Sequence, residues 1–267
     1  MLKKLLKIFK SKTPIQKMYP ELEEVGGLQN AIDIEFKKFN SNLRVTKDSE
    51  LEKTPLTFAL IKNGEKFSQV YIGAEEKLYL PDFWKEGVCL ANGWTKNISD
   101  LVQVLDFWLC NDVTTSQLVD KFSFVKQNDN AFAFDDNKEV EYTWNSILQN
   151  QSDTELKEFV KLAIKDDVLS KLFPFTSLYT LCFSRCTGYP YDTYNLPNVT
   201  PKEFENFLLF EGEIFSHQDN INIVENLLVV TVNKNKYLGG GDAEEALRII
   251  KENLPENVTQ ARKGTAG

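Results

Sequence analysis

Between residues 28 and 91, one amphipathic helix precedes a series of short, strand-like apolar runs. Apolar residues recur at helical spacing at Leu28, Ile32, Phe36 and Phe39. The runs that follow cover residues 43–45, 56–61, 67–72, 78–80 and 88–91. The Asn63-Gly64 pair between two of these runs predicts a hairpin, and the short connections leave no room for helical crossovers. The pattern therefore predicts an antiparallel sheet.

After residue 98 the apolar period becomes helical. The spacing predicts helices over residues 99–109, 115–122 and 139–148, with Ser99 as the cap of the first. Residues 149–153 are polar. Residues 152–155 have the sequence of a capping box with the Ser152 hydroxyl as the cap, which predicts that another helix starts here. We therefore place the boundary between two lobes at this polar stretch.

The C-terminal half predicts a helix, two strands and a final helix. The first helix is expected to follow the capping box at residues 152–155, with apolar positions from Leu156, and to run toward Leu172. The strands cover residues 177–184 and 227–232. Asp242 is expected to cap the last helix, and the glycine run before it is interpreted as a tight turn. An anion site at these glycines is the alternative, which the negative charge of Asp242 disfavours.

The elements together predict the α+β class, with an N-terminal antiparallel sheet and helices followed by a smaller helix–strand–helix lobe. We expect a basic leader at residues 1–18, an N-terminal lobe at residues 19–150, a C-terminal lobe at residues 151–258 and a mobile tail at residues 259–267. With 267 residues, 42% of them hydrophobic, the chain is long and apolar enough for a substantial core.

The charge of the chain argues against nucleic acid as a partner. The formal net charge is −8, which repels phosphate backbones. Arginine, the side chain that best clamps phosphate, occurs only at Arg44, Arg185, Arg248 and Arg262. We therefore expect the partner to be another protein or a small molecule.

The N-terminal segment is basic but lacks the features of a secretory signal or a membrane span. Lysines interrupt its apolar residues, so no unbroken hydrophobic stretch forms. Weak contact of residues 2–10 with a membrane surface is an alternative to a solvated leader. We expect the protein to be cytoplasmic.

Cysteine and histidine usage predicts neither a metal site nor a cofactor. Cys89, Cys110, Cys182 and Cys186 form no CxxC pair, and His217 is the single histidine. Free thiols in a reducing compartment are the simplest interpretation. A nucleophilic dyad of Cys186 and His217 is conceivable, but His217 lies in a polar stretch that is typical of a loop.

Residues 173–194 form the most unusual segment, since seven of the 22 residues are aromatic. Arg185 is the one cation among them, and Asp192 follows nearby. An arginine framed by rings and a carboxylate can orient a planar or anionic ligand, and the candidate binding residues are Tyr179, Arg185, Tyr189, Tyr191 and Asp192. The alternative is a core strand in which Asp192 fixes the arginine, and it is favoured because strand aromatics usually serve packing.

Three stretches resemble one known family: FWKEGVCLANGWT at residues 83–95, LFPFTSLYTLCFSRCTGYPY at residues 172–191 and GGGDAEEALRIIKENLP at residues 239–255. In order and spacing they are similar to an uncharacterised bacterial domain family, common in actinomycetes and labelled as a natural product biosynthesis protein. The chain departs from that pattern in its lysine- and asparagine-rich composition and in an insert around residues 203–226. The resemblance implies a bacterial source and a biosynthetic context, and it supplies no catalytic residues.

These observations favour a non-catalytic binding or accessory protein. A link to natural-product biosynthesis is implied by the family resemblance alone. An immunity protein that neutralises a toxin by direct binding is the first alternative, because an acidic surface suits a basic nuclease. A small-molecule enzyme with an aromatic and arginine pocket is the second.

Overall fold

The computed structural model describes residues 13–47, 56–202, 228–233, 236–258 and 260–266. These residues form two compact units. The first comprises the described residues up to Lys85 together with Cys89–Phe132, and the second comprises Glu86–Val88 together with the described residues from Ala133 onward. Each sheet has five strands and is antiparallel, and helices accompany both, so the predicted α+β class is confirmed.

The first unit begins with helices and continues into its sheet. Its elements are α1 (Pro14–Met18), α2 (Pro20–Glu24), α3 (Leu28–Lys38), β1 (Phe58–Asn63), β2 (Lys66–Ile72), β3 (Tyr79–Lys85), β4 (Val88–Gly93), α4 (Ile98–Cys110), α5 (Thr115–Lys121) and β5 (Val125–Gln127). Strands that are consecutive in the chain are also neighbours in the sheet, in the order β1-β2-β3-β4-β5.

Two-residue turns set the register of this sheet. Asn63 pairs with Lys66, so Gly64 and Glu65 form the β1–β2 turn that Asn63-Gly64 predicted. Gly64 has φ +61°, a value that glycine adopts without a steric penalty. At the β3–β4 turn both Glu86 and Gly87 have positive φ, as a type I′ turn requires.

Helix α4 packs against one face of β1, β2 and β3. Leu101, Leu105 and Trp108 of α4 are fully buried, and the Trp108 ring meets Phe83 of β3 edge-on with centroids 6.1 Å apart. Because buried residues alternate along β2 and β3, the other side chains of these strands lie on the opposite face of the sheet.

The second unit contains the remaining helices and the second sheet. Its elements are α6 (Ala131–Asp135, which begins at the end of the first unit), α7 (Glu139–Asn150), α8 (Thr154–Ala163), a 3-10 turn (Leu169–Lys171), β6 (Phe173–Ser177), β7 (Thr180–Ser184), β8 (Asn198–Pro201), β9 (Leu228–Val232), β10 (Lys236–Gly241) and α9 (Ala243–Glu252). The strands again follow chain order, β6-β7-β8-β9-β10.

Helix α7 belongs to the second unit, although the sequence placed it before the lobe boundary. Trp144 of α7 is buried, and its indole N–H donates to the Leu172 carbonyl oxygen at 3.1 Å. Its ring lies against Phe183 of β7, with centroids 6.0 Å apart. The division in space therefore falls before α7, because the apolar face of this helix completes the second core.

In the C-terminal half, the predicted end of one helix and the predicted glycine turn are wrong. Helix α8 ends at Ala163 and does not continue toward Leu172, because the Asp166 carboxylate accepts the backbone N–H groups of Val168 and Leu169 and starts a turn. The glycines at 239–241 lie in β10, paired with β9, and do not form the predicted tight turn. A Cβ atom at Gly240 would lie 2.8 Å from the Leu228 carbonyl oxygen, so close strand packing explains a glycine there.

No helix within the described ranges is long and apolar enough to cross a membrane. The segment at residues 2–10, for which membrane-surface contact was considered, lies outside the described residues.

Candidate functional site

The candidate site is the loop that follows β7, residues 185–195, which we call the Arg185 loop. Arg185 reaches back across it: its Nη1 donates to the Tyr194 carbonyl oxygen at 2.7 Å and lies 3.3 Å from Asp192 Oδ1. The backbone N–H of Arg185 also donates to the Asp192 carbonyl oxygen at 2.9 Å. The arginine and aspartate singled out in the sequence are therefore partners of each other.

Ser184 and Cys186 hold the inside of the loop together. The Ser184 hydroxyl donates to the Cys186 carbonyl oxygen at 2.7 Å and accepts the N–H groups of Cys186 and Asp192 at 3.0 and 3.2 Å. The Cys186 sulfur is fully buried, 3.5 Å from the Gly188 carbonyl oxygen and 3.2 Å from the Asp192 nitrogen. This thiol serves as a packed hydrogen-bonding group within the loop.

The C-terminal residues 260–266 run along the Arg185 loop and pair with its backbone. Thr187 N–H donates to the Arg262 carbonyl oxygen at 3.1 Å, and Gly188 N–H donates to the Gly264 carbonyl oxygen at 2.8 Å. In the other direction, Arg262 N–H donates to the Arg185 carbonyl oxygen and Ala266 N–H to the Pro190 carbonyl oxygen, both at 2.8 Å. The sequence predicts a mobile tail here, whereas the backbone of residues 260–266 is hydrogen-bonded to the candidate site.

A third segment, the turn at Glu86–Val88, closes the other side of the loop. Tyr189 N–H donates to the Gly87 carbonyl oxygen at 3.1 Å. A Cβ atom at Gly188 would lie 1.8 Å from the Glu86 carbonyl oxygen, so only glycine permits this approach. The loop backbone is thus fixed by contacts from both neighbouring segments.

The tyrosines of the loop divide into one packed ring and two exposed rings. Tyr191 stacks on Phe175 of β6 with centroids 4.2 Å apart and lies 5.7 Å from Phe173. Tyr189 meets Tyr191 edge-on and is 69% exposed, and Tyr194 is 74% exposed. Burial raises the pKa of Tyr191, so this hydroxyl stays protonated at neutral pH.

Tyr179, the fifth candidate residue, lies at the opposite end of the β6–β7 hairpin. Ser177 pairs with Thr180, so Leu178 and Tyr179 form the turn. These two residues line an open cleft of about 620 Å³ with polar side chains of α7 and the start of α8, among them Ser146, Asn150, Gln151 and Thr154. The structure therefore brings four of the five predicted residues into one loop and places Tyr179 elsewhere.

Two of the cysteines, Cys182 and Cys89, favour the thiol form. Burial raises the pKa of Cys182 to about 12, and burial together with the nearby Asp82 charge raises that of Cys89 to about 11. A thiol must ionise to act as a nucleophile. His217, the proposed partner of Cys186, lies outside the described residues, so the structure gives no geometry for that dyad. Within the described ranges, no three His, Cys, Asp or Glu residues converge as a metal site would require.

Sequence reasoning missed the residues that support the site. Ser184, Tyr194 and the tail at 260–266 carry no motif, and their roles depend on backbone atoms that approach from distant parts of the chain. The one available signal was the Gly188-Tyr189-Pro190 run, since glycine and proline mark a constrained loop.

Comparison with known proteins gives one family and no relative of known activity. Residues 138–227 match a family described as Family of unknown function (DUF6193). The match covers less than half of the chain, starts next to α7 and includes the Arg185 loop. It supports an uncharacterised domain in this part of the chain. The chain matches no curated protein and no solved structure.

Proposed function

We propose that this chain is a non-catalytic binding protein that recognises another protein through the exposed tyrosines of the Arg185 loop. The observation that carries the proposal is that Tyr189 and Tyr194 project into solvent from a backbone braced on two sides. Tyrosine is among the residues that dominate binding energy at protein interfaces, because a large ring is buried with few rotatable bonds.

Preorganisation strengthens this argument. Ordering a loop on binding costs free energy, so a loop that is already fixed gives more net affinity for the same contacts. Here four backbone hydrogen bonds to the tail and one to the β3–β4 turn fix the loop before any partner arrives.

Arg185 supports the binding function as a positioning residue. Its Nη1 atom is engaged by Asp192 and by the carbonyl oxygen of Tyr194, so the guanidinium holds the exposed tyrosine in place. This arrangement gives less support to the small-molecule enzyme, in which the same group would orient a substrate.

The net charge of −8 favours a basic partner, since complementary charge speeds association and disfavours acidic competitors. This charge supports the immunity protein as the second candidate, with a basic toxin as its target. The accessory role in natural-product biosynthesis rests on the sequence resemblance. All four cysteines are free thiols, which supports the proposed cytoplasmic location.

Affinity capture from a bacterial host lysate tests the proposal, with a Tyr189→Ser/Tyr194→Ser double variant beside the unsubstituted chain. Both rings are exposed, so the variant is expected to fold normally while its partner affinity falls at least about a hundredfold. Quantitative mass spectrometry should show a protein that the unsubstituted chain retains and the double variant loses.

A matched control is Phe39→Ser, which removes an aromatic ring that is 46% exposed on the first unit. This variant should retain the same protein. If the double variant captures the same proteins in the same amounts as the control, the Arg185 loop is not the binding surface. A toxin gene beside the gene for this chain would favour the immunity function over the accessory function.

A further inference from the structure

The face of the first sheet that points away from α4 is rich in aromatic rings. We call this surface the outer face. Its side chains come from alternate positions of β1, β2 and β3: Phe58, Leu60, Phe67, Gln69, Tyr71, Leu80, Asp82 and Trp84. They alternate along β1, β2 and β3 with the buried residues of the core face. Asp82 is the one acidic residue in this set.

The strand register places Asp82 among rings. Gln69 of β2 lies directly opposite Asp82. The neighbouring cross-strand pairs on this face are Phe67 with Trp84 and Tyr71 with Leu80. Side chains directly opposite in a sheet are about 5 Å apart at Cβ, and diagonal neighbours are about 7–8 Å apart. The carboxylate therefore lies within reach of aromatic side chains in the rows above and below.

These rings are fixed by contacts with one another. Phe67 and Trp84 stack with centroids 5.2 Å apart and an interplanar angle of 13°. Phe58 and Tyr71 pack with centroids 5.0 Å apart, and Tyr71 remains 41% exposed. The aspartate side chain is shorter than those of Gln69, Tyr71 and Trp84, which surround it in the strand register.

The Asp82 carboxylate makes no hydrogen bond and no ion pair with any residue that the structure describes. Other aspartates that are partly shielded from solvent have partners: Asp33 accepts the Val45 N–H at 2.8 Å, and Asp166 binds Lys251 at 2.6 Å. Lys62 of β1 belongs to the same sheet, but it pairs with Phe67 of β2 and forms no ion pair with Asp82. A partly buried carboxylate without a counter-ion is unfavourable, and a cation from outside would relieve that cost.

Burial raises the pKa of Asp82 itself, which is consistent with a carboxylate that lacks a compensating donor. The carboxylate also contributes to the raised pKa values of Tyr71 and Cys89, after burial in both cases. These shifts are consistent with a position of the Asp82 carboxylate close to the side chains of Tyr71 and Cys89.

We propose that the outer face binds a small organic cation, with Asp82 as the counter-ion and the rings of Tyr71 and Trp84 as its aromatic flanks. The chemistry is that of an ammonium or guanidinium head group, which is attracted by ring faces as well as by a carboxylate. A metal ion does not suit the site, because one carboxylate among rings offers too few ligands. Asp82 supplies a single negative charge, which matches one cationic head group and favours a small molecule over a basic protein surface.

Two probes test the site: tetramethylammonium chloride and agmatine, each against sodium chloride at equal ionic strength. In ¹H–¹⁵N spectra of the unsubstituted chain, the amides of Tyr71 and Asp82 and the indole of Trp84 should shift with either probe and not with sodium. Absence of such shifts with both probes would overturn the proposal without any variant.

The Asp82→Asn variant provides a second test of the proposal, because asparagine keeps the shape of the side chain and removes its charge. Its affinity for the probe should fall at least about tenfold, whereas Asp112→Asn, the same change at an exposed position, should leave affinity unchanged. Equal affinities of the two variants would refute the role of Asp82. A lysine-rich peptide that binds at these residues when neither small probe does would show that the site takes a protein partner instead.

Discussion

Asp82 illustrates how a single side chain can lower the stability of a fold in its unliganded form. Burial raises its pKa above the ordinary value of 3.8, so the folded chain holds this proton more tightly than the unfolded chain. The free energy of unfolding therefore falls as pH rises from 3.8 through the raised folded pKa, and it stays lowered above that point. The groups that face Asp82, Tyr71 and Cys89, remain neutral over this range because their own pKa values are raised.

We predict that Asp82→Asn raises the melting temperature at pH 7, because asparagine occupies the same position without a charge that must be desolvated. The difference from the unsubstituted chain should shrink toward zero at about pH 3, where the carboxyl group is protonated in both states. Thermal unfolding followed by circular dichroism at pH 7 and at about pH 3 measures this difference in melting temperature.

Asp112→Asn serves as the control, since this exposed carboxylate should change the melting temperature little at either pH. A lower melting temperature of Asp82→Asn at pH 7 would mean that the ionised carboxylate stabilises the fold.

At the residue level, the sequence predicted contacts between residues that are close in the chain, and it did not predict a turn formed by residues that are unusual in turns. The Arg185–Asp192 pair was foreseen as the structural alternative, because the two residues lie close in the chain. The turn at Leu178 was missed, and residues 177–184 were predicted as one strand. Leu178 adopts φ +53° and is 80% exposed, which no pattern of leucine indicates.

At the scale of elements, the β1–β2 hairpin caps the C-terminal end of α4. The Asn63 amide donates to the Leu109 carbonyl oxygen at 2.8 Å. The buried Lys66 Nζ donates to the carbonyl oxygens of Trp108, Asn111 and Val113 at 3.3, 2.9 and 3.1 Å, and it lies 4.2 Å above the Trp108 ring. The last carbonyl groups of a helix have no partners within the helix, and that end carries a negative potential. The Lys66 ammonium group supplies both hydrogen-bond donors and a positive charge at this end of α4.

Lys66→Met is predicted to lower the free energy of unfolding by about 2–4 kcal/mol, because three carbonyl groups lose a charged donor inside the protein. Urea unfolding followed by tryptophan fluorescence measures the change. Lys62→Met, an exposed lysine on the same hairpin, should alter stability by less than about 0.5 kcal/mol. Equal effects of the two substitutions would show that the cap at α4 contributes nothing.

Element prediction was most accurate for amphipathic helices and least accurate for their ends. The last helix was expected to start at Asp242, and Asp242 does accept the Glu245 N–H at 2.9 Å. The cap of α8 is Asp153, not Ser152, and Asn97 caps α4 in place of Ser99. Adjacent polar residues compete for the same backbone N–H groups, and sequence alone does not rank them.

At the scale of the whole molecule, the C-terminal residues 260–266 contribute to a site that lies far from them in sequence. Besides the contacts to the Arg185 loop, Ala261 N–H donates to the Lys171 carbonyl oxygen at 2.8 Å, and Lys263 Nζ donates to that of Phe134 at 3.2 Å. Sequence could not predict this pairing, because it depends on backbone atoms and not on side-chain type.

Deletion of residues 260–267 is predicted to increase amide hydrogen exchange at Thr187 and Gly188 by at least about tenfold, because both lose their acceptors. The Asp192 amide provides an internal reference, since its acceptors at Ser184 and Cys186 remain. Exchange followed by NMR resolves the three positions.

Lys263→Met is the matched variant, because it removes only the side-chain contact to Phe134 and keeps the backbone pairing. It should leave exchange at Thr187 and Gly188 unchanged. If the deletion also leaves exchange at these two amides unchanged, the tail does not brace the loop.

The sequential order of the strands has a kinetic consequence. In both sheets each strand pairs with the next one in the chain, and five of the eight pairs are joined by connections of six residues or fewer, which cost little chain entropy to close. The parallel bridge between Cys186 and Arg262 joins segments separated by the whole remainder of the second unit. Assembly should therefore begin with these hairpins, and the loop that carries the exposed tyrosines should become fixed only in the last step, when the end of the chain docks.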